Sequence, residues 1–307
     1  MDAASSLTIT CAENISLLFL LHSVPTPPVR TPIKRSQILE AGYSLPFDKE
    51  RSLASTLAFL SSIRDDPNRI PAVCVQEDPD SEGLNIILAI NRANGVDGQG
   101  DLQEVERGLR EILIILSHIL DGNNTESDVF NAVVSMCSTR ILCRLRLRAN
   151  SRNKPKQPIN EVLHLAIASL KQLNLRSRKS RKMADVSTVF ETRAKAVIQL
   201  VGAWTKHQTM TRLGNLIEGI HCLWQTEGLS GLLDSIPNTF MDPGSRTNLW
   251  NIVSKVARYR EAARILYRAG KRFSSVRQAK VVPLSLPSDI FNRAPAHHWT
   301  RWPGLRR

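Results

Sequence analysis

The sequence is poor in aromatic residues and in cysteine. Phe, Trp and Tyr together make up 5% of the 307 residues, so aliphatic side chains have to supply most of a hydrophobic core. The cysteines are odd in number and far apart, which is typical of reduced thiols and not of a disulfide-stapled secreted domain. The five are Cys11, Cys74, Cys137, Cys143 and Cys222. We therefore expect an intracellular protein of the nucleus or cytoplasm.

The sequence also lacks the signals of membrane insertion and secretion. The apolar run ISLLFLL at 15–21 has seven residues, whereas a membrane-spanning helix needs about 20. Asp2 and Glu13 precede this run, and no Lys or Arg does, which is unlike the basic start of a signal peptide. We expect no membrane span and no secretion.

No arrangement typical of an active site or a metal site is present. The glycine-rich stretch NRANGVDGQGD at 91–101 lacks the GK[ST] ending of a phosphate-binding loop, and its acids Asp97 and Asp101 would repel phosphate. We interpret it as a connection that ends with Asp101 as a helix N-cap. Cys137 and Cys143 are six residues apart, which places them on different sides of a helix. The sequence therefore predicts a protein that is not an enzyme and has no cofactor or metal.

Charge is distributed unevenly along the chain. Residues 1–139 contain 10 Lys or Arg against 19 Asp or Glu, a net charge of −9, and residues 140–307 contain 31 against 9, a net charge of +22. Such asymmetry indicates either that the acidic part docks on the basic part or that the basic part faces an external polyanion.

Hydrophobic periodicity predicts a mainly α (α+β) fold with about eight helices and a small sheet of two or three strands. The strands are expected in IPAVCVQ, LNIILAIN and AKVVPLSLP. We divide the chain into an acidic helical lobe with a strand pair (1–148), a linker (149–158), a basic helical lobe (159–294) and a disordered tail (295–307).

The segment 258–273, RYREAARILYRAGKRF, has six basic residues and one acid, with apolar residues at helical spacing. At 100° per residue, five of the cations fall on one face of a helix. We call these five the basic stripe: Arg260, Arg264, Arg268, Lys271 and Arg272. Their counterion is left open between the acidic part of the chain, solvent, and an RNA, DNA or phospholipid surface.

A second basic segment, RSRKSRK at 176–182, contains no apolar residue. We call it the basic run and expect it to be an exposed loop. It is a candidate for phosphate contacts or for a nuclear localisation signal, and the alternative is a loop exposed only to solvent. Its candidate residues are Arg176, Arg178, Lys179, Arg181 and Lys182.

A resemblance to a known protein family rests on two stretches of the sequence. They are SLASTLAFLSSIRDDPNRIPAVCVQE at 52–77 and ARYREAARILYRAGKRFSSVRQAKVVPLSLPSDIF at 257–291. Together they resemble the helical region that precedes the deaminase-like domain in a family of uncharacterised fungal proteins. The resemblance implies a helical region leading into a zinc-dependent nucleotide or nucleic-acid deaminase. The HxE and PCxxC motifs that hold and use the zinc are absent from the chain, so no catalytic residue is implied.

The function that these features favour is a non-catalytic helical interaction module, whose basic face contacts an acidic partner or nucleic acid. One alternative is a truncated deaminase-family protein without its catalytic domain. The other is a purely structural scaffold in which the acidic and basic parts neutralise each other.

Overall fold

The computed structural model describes residues 45–284 except 67–68, 79–81, 91–97, 123, 148–156 and 177–180, together with residues 13, 14 and 17. Tyr43–Pro283 form one compact unit, to which helices from both predicted lobes belong. The predicted tail 295–307 and most of the predicted linker lie outside the described residues.

The described part of the chain contains nine helices and three strands, which confirms the mainly α prediction with a small sheet. In chain order they are α1 (Phe47–Ser61), β1 (Pro71–Glu77), β2 (Leu84–Ile90), α2 (Gly98–Ser117), α3 (Glu126–Leu145), α4 (Ile159–Arg176), α5 (Arg181–Lys206), α6 (Met210–Trp224), α7 (Leu229–Asp234), α8 (Pro243–Arg272), α9 (Ser274–Arg277) and β3 (Lys280–Pro283).

The sheet joins distant parts of the sequence. Its order is β1-β2-β3, with β1 antiparallel to β2 and β3 parallel to β2. Leu84, Ile86 and Leu88 alternate along β2 and are buried, and α1 and α2 cover the sheet. Strand β3 follows α8 and α9 in the chain, and it pairs in parallel with β2. This pairing places the end of α8 near the strand pair that follows α1.

Helix α8 has 30 residues and organises the helical core. It begins at a proline after Asp242, whose side chain accepts a hydrogen bond from the Ser245 backbone N–H at 2.9 Å, the usual N-cap arrangement. Its buried residues recur at helical spacing and pack against α1, α2, α3, α4 and α6. Tyr259 is fully buried, with its ring centroid 4.7 Å from that of Phe59 in α1. The helix therefore has only one side left for solvent or a partner.

The start of α2 differs from the sequence prediction. The helix begins at Gly98, so Asp101 lies inside its first turn and is not its N-cap. The Asp101 carboxylate is 7% exposed and accepts hydrogen bonds from Arg64, at 2.8 Å, and from Arg69. A carboxylate in a first helical turn is favoured by the helix dipole, and here it also ties the segment after α1 to α2.

The sequence predicted that the basic run is one exposed loop, but some of its residues belong to helices. Arg176 is the last residue of α4, and Arg181 and Lys182 are the first residues of α5. Arg178 and Lys179 lie outside the described residues. Within the described residues, no helix combines the length and the apolar character needed to cross a membrane.

Candidate anion-binding groove

Arg260, at the first position of the basic stripe, is neutralised inside the protein. Its side chain is 17% exposed, and its Nη1 lies 2.5 Å from the Glu126 Oε1 at the start of α3. Its Nε lies 3.5 Å from the Glu218 carboxylate in α6, and its guanidinium lies 5.1 Å from the centroid of the Phe130 ring. This arginine therefore joins α3, α6 and α8 and is not available to a partner.

Arg264, one turn further along α8, is also paired. Its Nη1 lies 3.0 Å from Glu261 Oε1, and its Nε lies 3.7 Å from Glu126 Oε1. Glu261 in turn lies 2.6 Å from Nε2 of the buried His221 in α6. Glu126 thus bridges Arg260 and Arg264, and the first half of the basic stripe forms an internal network.

The second half of the basic stripe is exposed. Arg268, Lys271 and Arg272 make no ion pair with any residue that the structure describes. Lys271 Nζ lies 4.9 Å from the Tyr267 ring centroid, and the Arg272 guanidinium lies 5.4 Å from that of Phe273. These cations occupy the end of α8, where the helix dipole favours positive charge. The dipole therefore offsets part of their mutual repulsion.

A groove runs between α1 and α8. The two helices are antiparallel along it, because Phe59 near the end of α1 contacts Tyr259, whereas Lys49 near its start lies beside Arg268 and Arg272. Residues 258–272 of α8 line the groove, which at 1.5 Å per residue gives a length of about 20 Å. Ser52 and Ile265 line both of its cavities and mark where they meet.

The two ends of the groove differ in charge. The cavity near Phe59 has a volume of 330 Å³, and the charged residues lining it are Asp48, Arg51, Arg258 and Glu261. We call it the mixed end, because its two acids balance its two bases. Arg258 lies over the Phe59 ring, 4.3 Å from its centroid.

The other cavity has a volume of 260 Å³, and its charged lining residues are Lys49, Arg268 and Arg272. We call it the basic end, because no acid lines it. Lys49 Nζ lies 3.3 Å from the exposed carboxylate of Asp48, its sequence neighbour, which lines the mixed end. The rest of the lining is mainly apolar and comes from α1, α8, α9 and the residues beside them: Leu45, Ser52, Leu53, Ile265, Ala269, Phe273 and Val276.

The structure thus separates the predicted site residues. Arg268 and Arg272 meet at the basic end, whereas Arg260 and Arg264 face acids of the same chain. Sequence reasoning missed Lys49, which lies on α1 between Asp48 and Glu50 in the acidic part of the chain. Only the antiparallel packing of α1 on α8 brings it to the other two. Lys271 is exposed beside them but does not line the cavity.

The described lining of the groove consists of charged, small polar and apolar side chains. Burial raises the pKa of the Cys137 thiol to about 12 and also raises the pKa of the Tyr259 hydroxyl, so both are protonated at neutral pH and poor nucleophiles. Among the residues that the structure describes, no group of three or more His, Cys, Asp or Glu could hold a metal ion. At its basic end the groove presents positive charge beside apolar surface.

No protein-family model matches the chain, and no curated protein or solved structure matches it either.

Proposed function

We propose that the chain is a non-catalytic interaction module of the nucleus or cytoplasm whose basic end binds an anionic macromolecule. The observation that carries this proposal is the charge of one cavity: Lys49, Arg268 and Arg272 line it, and no Asp or Glu does. The exposed second half of the basic stripe adds Lys271 beside it.

Electrostatics explains why this arrangement favours a bound anion. Arg268 and Arg272 are four residues apart on α8, a spacing at which like charges destabilise a helix by a few tenths of a kcal/mol. Lys49 brings a third cation to the same cavity from α1. A multivalent anion would relieve this repulsion and release counterions on binding, which makes the affinity strongly dependent on salt.

The structural scaffold is a second candidate, and the network around Glu126 favours it. Arg260 and Arg264 are neutralised by acids of the same chain, so two of the five residues of the basic stripe stabilise the fold. This role is compatible with the first proposal, because the two roles fall on different residues of the stripe.

The resemblance to the region that precedes a deaminase-like domain motivates a test for deaminase chemistry. Elemental analysis for zinc and a deamination assay with cytidine and adenosine substrates test the non-catalytic proposal directly. We expect neither bound zinc nor turnover, and stoichiometric zinc together with turnover would overturn it.

The anion-binding proposal is tested by fluorescence anisotropy with labelled polyglutamate and with single- and double-stranded oligonucleotides, at about 50 and 200 mM salt. We expect binding of at least one polyanion that weakens at the higher salt concentration. The double variant Arg268→Glu with Arg272→Glu should abolish it.

The matched control is the double variant Arg107→Glu with Lys255→Glu, which changes the net charge equally at two exposed residues that do not line the groove. We expect it to retain most of the binding. Equal losses in the two double variants would show a bulk charge effect and contradict the proposal, as would no binding to any polyanion at low salt.

A further inference from the structure

The basic end combines a cationic rim with an apolar floor, and this combination identifies the class of anion. Leu45, Leu53 and Val276 are buried there, and Ile265 and Phe273 are partly exposed toward the cavity. We propose that the groove binds an acidic amphipathic helix of a partner protein, with its apolar stripe on this floor and its carboxylates on Lys49, Arg268 and Arg272. This inference rests on the proposed function and names the partner of the same site.

The shape of the groove suits a helix. Two antiparallel helices with a groove of about 20 Å between them can accept a third helix of about 14 residues, or roughly four turns. Apolar side chains at i, i+3, i+4 and i+7 of such a helix lie on one face. That face can contact the partly exposed Ile265, where the two cavities meet, and the partly exposed Phe273 at the basic end.

The charge gradient along the groove selects the orientation of the bound helix. The basic end has three cations and no acid among its lining residues, whereas the mixed end presents Asp48 and Glu261 beside its own two bases. Acidic residues of the partner are therefore favoured at the basic end, and uncharged residues facing Ser52 and Ser55 are favoured at the mixed end.

The same features disfavour a nucleic acid. Single strands bind where aromatic rings are free to stack on bases. Here the Arg258 guanidinium lies 4.3 Å from the centroid of the Phe59 ring, and that of Arg272 lies 5.4 Å from the centroid of the Phe273 ring. A polynucleotide has a phosphate at every nucleotide, so a strand following the groove would bring phosphates against Asp48 and Glu261. A peptide can limit its negative charge to one end.

The test measures how tightly each of three labelled ligands binds the chain at about 100 mM salt. The first is a 14-residue peptide with Leu at helical spacing and Glu concentrated in one half, and the second has the same composition in an order that destroys the apolar stripe. The third is a single-stranded oligonucleotide of equal charge. We expect the first peptide to bind at least about tenfold more tightly than the other two.

Two variants locate the bound peptide. Ile265→Asn should weaken the binding of the amphipathic peptide about tenfold and leave the binding of the scrambled peptide unchanged, because it alters the apolar floor of the cavity and not its charge. Arg268→Glu should weaken both peptides, and since Arg268 is exposed, this variant remains informative if Ile265→Asn does not fold.

The outcomes separate the two proposals. Equal binding of the two peptides would overturn the proposal that the partner is an amphipathic helix, and it would leave the proposed anion-binding function in place. Tighter binding of the oligonucleotide would overturn it in favour of nucleic acid. No binding of any of the three ligands, while a polyanion still binds at about 50 mM salt, would overturn this inference alone; no binding in either experiment would overturn the proposed function as well.

Discussion

The two halves of the basic stripe should respond oppositely to the same substitution. Arg264→Glu reverses a side chain that lies 3.0 Å from Glu261 and 3.7 Å from Glu126. Arg268→Glu reverses an exposed side chain that has no ion pair among the described residues. We expect the first variant to destabilise the fold and the second to leave its stability unchanged or slightly raised.

The magnitude follows from the number of contacts reversed. Partly exposed ion pairs contribute roughly 0.2–1 kcal/mol each, and Arg264→Glu converts two attractive contacts into two repulsive ones. The expected loss is therefore about 2 kcal/mol, which in a domain of this size lowers Tm by about 4–8 °C. Arg268→Glu places an acid four residues from both Arg264 and Arg272, a spacing that favours opposite charges by about 0.2–0.5 kcal/mol per pair.

Thermal unfolding followed by circular dichroism measures both effects, and high salt should reduce the difference between the variants. A double-mutant cycle with Arg264→Gln and Glu126→Gln isolates the coupling across α3 and α8, which we expect to be about 0.5 kcal/mol. Equal Tm values for Arg264→Glu and Arg268→Glu, or a coupling free energy of zero, would refute the division of the basic stripe into internally paired and exposed residues.

Three further predictions concern other parts of the fold. Asp101→Asn should lower the free energy of unfolding by about 1–3 kcal/mol, because it weakens the hydrogen bonds of a carboxylate that is 7% exposed; an unchanged urea midpoint would contradict this. Hydrogen bonds from the hydroxyl and backbone N–H of Thr125 lower the pKa of Asp128 at the start of α3, and hydrogen bonds from Ser245 lower the pKa of Asp242. The stability that these two carboxylates contribute is therefore present above the unfolded pKa of about 3.9 and is lost as pH falls through the lower folded values. Urea titrations below about pH 5 should therefore show declining stability with a shallower decline in Asp128→Asn, and parallel curves would argue against this contribution. The thiol of Cys137 is fully buried and has its pKa raised to about 12, so a thiol reagent analysed by mass spectrometry should label the exposed Cys74 and spare Cys137 until the protein unfolds; equal labelling rates would show that the core opens freely.

The buried face of α8 could be predicted from sequence because it depends on a local period. Apolar residues recur at the spacing of one helical face, and Tyr259 and Leu266 are indeed buried. The opposite face therefore had to carry the cations. Helix number and the small sheet followed from the same kind of pattern.

The division of that cationic face could not be predicted, because it depends on residues far away in the sequence. Glu126 lies 134 residues before Arg260, at the first position of α3. Nothing in the spacing of α8 itself distinguishes Arg264, which Glu126 contacts, from Arg268, which it does not. Asp101 shows a related limit, since its local context resembles an N-cap whereas its actual partners, Arg64 and Arg69, belong to another segment.

Helix α8 changes its neighbours along its length, and this change explains why one stripe has two roles. Arg260 and Arg264 lie against α3, whose first residue, Glu126, is an acid placed where the helix dipole favours it. Further along, Arg268 and Arg272 lie against the start of α1, which adds the cation Lys49 to the cavity they line. Among the described residues, acids of the first part of the chain pair with α8 where α3 contacts it, whereas Arg268 and Arg272 have no ion pair with a described residue. A charge that packing leaves uncompensated beside an apolar cavity is the feature that a partner of opposite charge can recognise.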